Sequence, residues 1–237
     1  EFYQRANSFL SALKSFLNSP REPEHERQCA ENVMKACLEI EDAKTVEQKQ
    51  SRQRLFNNVQ FPEQVLNILK SSKLEKEHRS VDGYSTERVG LMMKCYMFLL
   101  ASCKGNTEIK NQRVFSDNMS TFVDHLDVKP FPAGANHKVE LHAEALVLEL
   151  YDNNYALVQS VTSETVKRFV NLIVNNGRLP TWLKFLNKLA VVGEGKDGQP
   201  VKKNQQLIIK GLIQNKAKTL TPSLYRTEEE WKECVAL

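Results

Sequence analysis

The apolar positions of this chain recur with the period of an α-helix, and period-2 alternation is rare. Phe2, Ala6, Phe9, Leu10, Leu13 and Phe16 fall on one face of a first helix, which Pro20 and Pro23 close. Cys29, Val33, Ala36, Cys37 and Ile40 form the stripe of a second helix, in a segment starting near Glu24. Residues from about Val46 to Phe56 predict a third, heavily charged helix. Pro62 suits a first helical position, and Val65, Leu66, Ile68 and Leu69 give the helix after it an apolar face. Met92, Cys95, Tyr96 and Leu99 recur at i, i+3, i+4 and i+7. Val114, Phe115, Met119 and Phe122 are expected on one further helix, followed by helices of about 139–150 and 154–160.

The punctuation agrees with this reading. The polar stretch 71–87 and the Pro/Gly-containing stretch 127–138 predict two long connections. Thr162 or Ser163 is placed to cap the free N–H groups of a helix carrying Val166, Phe169, Val170 and Ile173. Glu164 complements its dipole, and Gly177 suits its left-handed end. Pro180 opens the next helix, with Trp182, Phe185, Leu186 and Leu189 facing the core. The last clear helix spans about 204–214, and Thr227 before a Glu run predicts a short terminal one. The sum is an all-α chain of about ten helices with no strand. Helices joined in pairs and triplets point to stacked helical repeats. An internal echo supports stacking. Both 98–115 and 185–208 read as an apolar helix end, a Gly-containing loop, and then Lys-Asn-Gln, with Asn111 and Asn204 expected at helix starts.

Composition narrows the functional classes. The 237 residues are 41% hydrophobic and 26% charged, an ordinary globular balance with ample length for a core. No apolar run approaches the ~20 residues that span a bilayer. The N-terminus has no signal-peptide pattern. Its first residue is Glu rather than Met, so a piece of a longer protein is expected. The net charge of +4 is spread along the chain without basic blocks interleaved with aromatics, which argues against nucleic-acid binding. The five cysteines form no C-x-x-C, and Cys29 and Cys95 fall on apolar faces. They read as small core residues in a reducing setting.

Candidate chemistry is sparse. Gly193, Gly195 and Gly198 spell G-x-G-x-x-G, the dinucleotide fingerprint, which requires a preceding strand and a helix opening at its third glycine. Here helical period precedes it, Pro200 follows, and no acidic residue lies ~20 positions on to hold a ribose. Gly195-Lys196 is followed by Asp197, which removes a P-loop. The stretch reads as a helix–helix loop with Val191-Val192 ending the helix before it. Lys202 and Lys203 then form an exposed basic edge, and with Trp231 they are the candidate partner contacts. His25, His78, His125, His137 and His142 make no i, i+4 metal pair, and no nucleophile signature appears. No cofactor, metal or catalytic residue is assigned, and the chain is not expected to be an enzyme.

The C-terminal half carries a resemblance. DNNYALVQSVTSETVKRFVNLIVNNGRLPTWLKFLNKLAVV followed by VKKNQQLIIKGLI resembles the ryanodine and inositol trisphosphate receptor homology, or RIH, domain. Upstream, SRQRLFNNVQFPEQVLNILK and FLLASCKGN with NQRVF are similar to that family's helical pair and central helix. The likeness covers about 50–213 of a single domain 1–237, with a helical pair over 1–45 and a tail over 214–237. It implies an armadillo-like solenoid on the cytosolic face of the endoplasmic reticulum, inside a homotetrameric calcium-release channel. The implied partners are other domains and subunits of that channel. In the family's ligand-binding copy two basic motifs hold inositol trisphosphate. Laid on this sequence they fall on Gln50, Arg54 and Asn57, and on Glu108, Ile109 and Lys110. Arg54 and Lys110, with neighbouring Arg52 and Lys104, are therefore the candidate ligand residues. Losing charge at the other positions is what the family's later, non-ligand copy implies, a structural and signal-relaying solenoid.

Overall fold

The structure is a computed structural model that describes residues 2–18, 22–71, 86–127, 141–176, 180–193 and 198–215. The chain divides into two compact units, Glu1–Leu150 and Tyr151–Leu237.

The first unit begins with α1 (Phe2–Leu17) and α2 (Pro23–Glu41), followed by α3 (Val46–Asn58), α4 (Phe61–Ser71) and α5 (Thr86–Cys103). Pro23 stands at the first position of α2, with Glu24 and Glu26 complementing its dipole. Thr45 caps α3 by accepting from Gln48 N at 3.1 Å, and Gln48 Oε1 reaches back to Lys44 N at 2.8 Å, a reciprocal arrangement of capping-box type. The principal packing is between α2 and α5. Cys29, Val33, Ala36, Cys37 and Ile40 are buried on the first, and Leu91, Met92, Cys95, Tyr96 and Leu99 on the second. The two helices run in the same direction. Glu26 pairs with Arg88 at 3.0 Å in their first turns, and Cys37 lies near Lys94 further along. That is the relation of equivalent helices in successive repeats of a stack. Phe56, Phe61 and Phe98 meet edge-on or tilted at 4.7–5.5 Å between centroids, with Phe2 against Phe56 at 5.7 Å.

Beyond α5 the helices are short: α6 (Thr107–Lys110), α7 (Arg113–Ser116), α8 (Met119–Asp124) with a 3-10 turn at His125–Asp127, and α9 (Ala143–Tyr151). The single helix expected through Val114 and Phe122 is thus two. Asn118 breaks it by donating Nδ2 to Val114 O at 2.8 Å, an alternative to continuing the ladder.

The second unit holds α10 (Tyr155–Gln159), α11 (Ser163–Asn176), α12 (Pro180–Ala190) and α13 (Lys202–Gln214). Thr162 is the cap of α11, accepting from Thr165 N at 3.3 Å. Phe169, Phe185 and Trp182 stack in series at 4.9 and 5.7 Å, with Tyr151 edge-on to Phe169. At Gly211 an added Cβ would lie 3.3 Å from Val170 Cγ2, so the glycine lets α13 approach α11 closely.

The all-α class and the stacked helices are as expected, with thirteen α-helices among the described residues. One expectation is corrected. Val191-Val192 does not end α12 but forms β1 (Val191–Val192), paired antiparallel with β2 (Gln199–Pro200). Gly193, at φ 93°, takes the chain out of β1. Gly177, the rest of the long connections, Cys234 and the helix expected after Thr227 lie outside the described residues.

Candidate functional site

The basic residues singled out from sequence gather around one corner of the first unit, where α3, the end of α5 and α6 meet. Helix α5 ends in the interior, so its last carbonyls need partners. Gln53, wholly buried on α3, donates Nε2 to Ala101 O at 2.8 Å and to Lys104 O at 3.0 Å. Its Oε1 accepts from Asn106 Nδ2 at 3.0 Å. Asn106 follows Gly105, which holds φ 71°, and caps α6 by accepting from Ile109 N at 3.3 Å. The amides of Gln53 and Asn106 thus close one helix and open the next.

The charges are set on this frame. Lys110 is 6% exposed, with Nζ 2.5 Å from Glu149 Oε1 on α9. The same oxygen accepts from Gly105 N at 3.0 Å. Arg54 pairs with Glu108 at 3.2 Å, both more than half exposed. Arg52 leaves the corner for the other side of α3. It donates to the Glu39 carbonyl and lies 5.4 Å from the centre of the Phe2 ring. Lys104 is exposed and makes no ion pair among the described residues. Ile109, which stands where the family's ligand motif carries an arginine, is wholly buried. The corner therefore ties α3, α5, α6 and α9 together and presents one unpaired cation to solvent.

In the second unit Lys202 is exposed on the first turn of α13. Lys203 turns inward instead, donating Nζ to Val161 O at 3.1 Å and Gln159 O at 3.4 Å. Asn204 beside it is wholly buried and donates Nδ2 to Val158 O at 2.8 Å and Leu189 O at 3.0 Å. Gln205 donates to Ala190 O at 3.2 Å. The run Lys203-Asn204-Gln205 closes the C-terminal ends of α10 and α12. Its purpose is the reverse of the one expected: the amides serve orphan carbonyls, not orphan N–H groups. The sequence echo is also not an equivalence, because Asn111 is the C-cap of α6 whereas Asn204 stands inside α13. The residues that do correspond are Asn106 and Asn154. Asn154 follows Asn153 at φ 52° and caps α10 at Leu157 N, 3.1 Å away. Sequence reading passed over Gln53, Asn106 and Glu149. The one local signal was the Gly-Asn dipeptide, a turn-and-cap pattern. Trp231 lies outside the described residues.

Other titratable groups serve the core. Tyr96 OH and His125 Nδ1 are 2.6 Å apart and buried, and burial pushes the imidazole down to about 4. The thiols of Cys29 and Cys37 are raised by burial to about 12 and about 11, which keeps them protonated and inert. Among the described residues no group of His, Cys, Asp and Glu is placed to hold a metal, and no helix is long and apolar enough to cross a membrane.

Compared with known proteins, residues 11–224 match the RIH domain family. The chain is also 24% identical over 125 residues, 53% of its length, to inositol 1,4,5-trisphosphate receptor-like protein A of Dictyostelium discoideum. That alignment covers 4% of the relative's own length.

Proposed function

Since this chain belongs to the RIH domain family, we propose that it is a structural and signal-relaying segment of an intracellular calcium-release channel, set on the cytosolic side of the endoplasmic reticulum. Its partners are neighbouring domains and subunits of the same channel, and it carries no chemistry of its own. The reading rests chiefly on the buried Lys110–Glu149 pair. The cation that a phosphate-binding copy would present to its ligand is here neutralised inside the fold. A buried pair broken by removing one partner leaves an uncompensated charge, so Lys110 is held in place and withheld from an anion. Glu108 beside Arg54 adds negative charge where a trisphosphate would sit.

The experiment uses the longer parent in membrane vesicles and measures inositol trisphosphate binding and calcium release together. Replacing Arg54 and Lys104 by Gln is expected to leave ligand affinity unchanged. Lys110→Arg, which keeps the charge but not the shape of the buried pair, is expected to shift the calcium-release response at unchanged affinity. A tenfold loss of affinity in the Arg54/Lys104 double variant would make this an inositol phosphate site instead. No change in release on disturbing Lys110 would remove the relay.

A further inference from the structure

A groove of about 220 Å³ lies in the first unit between α4 and the α7–α8 bend, lined by Glu63, Leu66, Asn67, Lys70, Arg113, Val114, Asp117 and Asn118. Its floor has an unusual feature. Glu63 Oε2 is buried and has no hydrogen-bond partner in the chain. A carboxylate oxygen withdrawn from water without a donor is costly, and such atoms are few in folded proteins. Lys70 and Arg113 stand exposed on the rim, and Asp117 is exposed beside Asn118. The Nδ2 of Asn118 is committed to Val114 O, which leaves its Oδ1 as an acceptor.

The mixture of charges selects the occupant. A phosphate or other polyanion meets Glu63 and Asp117. A divalent cation meets Lys70 and Arg113 and lacks the six or more oxygens it prefers. The volume is below the ~300 Å³ at which pockets for drug-sized ligands begin. One long cationic side chain fits it, with acidic neighbours for the rim cations and backbone groups for the two asparagines. We propose that this groove is a docking socket for one arginine or lysine side chain of a partner polypeptide, with Glu63 as its ion-pairing acceptor. The socket does not depend on the relay reading, since neither Lys110 nor the corner around it contributes to the groove.

The test is an NMR titration of the isotope-labelled 237-residue chain with N-acetyl-arginine methylamide, and with N-acetyl-citrulline methylamide as the uncharged isostere. Saturable shifts at Glu63, Asn67 and Asn118 with the arginine compound alone are expected. Glu63→Gln is expected to weaken them about tenfold, the loss of one charge-assisted pair. The same variant is expected to melt at the same temperature as the wild type or higher, because an unpaired buried carboxylate has been removed. Shifts that citrulline reproduces, shifts elsewhere, or none at all would overturn the socket. So would a Glu63→Gln variant that melts several degrees lower, since that carboxylate would then be paired within the chain.

Discussion

The corner at the end of α5 and the joint at the end of α12 meet the same need with different parts. Each must satisfy the last carbonyls of a helix that stops in the interior. In the first unit the amide comes from Gln53, 48 and 51 positions away from the carbonyls it serves. In the second it comes from Asn204 and Gln205, each 15 positions away. The joint is therefore assembled from neighbouring helices, whereas the corner is complete only once α3 has docked on α5, a costlier loop to close. The ion pairs differ in the same sense. Lys110–Glu149 is nearly out of solvent, whereas Lys188–Asp152 leaves 28% of each side chain exposed. One unit is held by contacts distant in sequence and deeply buried, the other by local and partly wetted ones.

This contrast can be broken in several ways. Lys110→Met leaves the Glu149 carboxylate unpaired near the interior and is expected to cost about 3–5 kcal/mol. Lys188→Met should cost about 0–1 kcal/mol, as an exposed pair does. Denaturant unfolding of the two variants measures the gap, and equal losses would abolish the distinction.

Acid should act on one unit alone. All five histidines lie in the first unit and none in the second. His125 titrates near 4 when folded and near its ordinary 6.5 when unfolded. A depressed folded value means that the unfolded chain binds the proton first. The stability it contributes is therefore full above about pH 6.5 and is lost as pH falls toward 4, to a limit of about 3 kcal/mol. Amide hydrogen exchange between pH 7 and 4.5 should show first-unit amides opening more readily, and His125→Gln should flatten that slope.

The amides themselves come next. Gln53→Ala orphans Ala101 O, Lys104 O and Asn106 Nδ2, at an expected cost of about 3 kcal/mol. Asn204→Ala orphans two carbonyls and should cost about 2 kcal/mol. Hydrogen exchange locates each loss in its own unit. The turn residues sharpen the comparison last. Gly105→Ala meets no atom within 4 Å, so its cost is backbone strain alone, about 1–2 kcal/mol, while Asn153→Gly should be neutral or slightly stabilising. Thermal melting distinguishes the two directions.

The comparison also explains what could be read from the sequence. Apolar stripes that repeat every three or four residues were legible because burial is written locally. Met92, Cys95, Tyr96 and Leu99 are all buried, as are Val166, Phe169, Val170 and Ile173. The all-α class follows from those stripes, and the RIH likeness from their order. The corner was not legible. Gln53 sits in Arg52-Gln53-Arg54 and reads as one solvated charged face, yet it is the fully buried member of the three. Nothing in its neighbourhood announces carbonyls some fifty residues on. Lys110 was singled out for its charge, but that charge is decided by Glu149, which no spacing connects to it. The Lys-Asn-Gln echo failed for the opposite reason. It matched letters whose positions relative to their helices differ.

The small ladder between β1 and β2 has a consequence for how such chains can vary. With Val191 opposite Pro200 and Val201 N bonded to Ala190 O at 2.9 Å, the end of α12 is clamped to the start of α13. The number of residues strung between Val192 and Gln199 is thereby freed from the helix positions. Members of a lineage can lengthen or shorten that stretch, and an experimenter can splice a tag or a fluorophore there, with the flanking helices left in register.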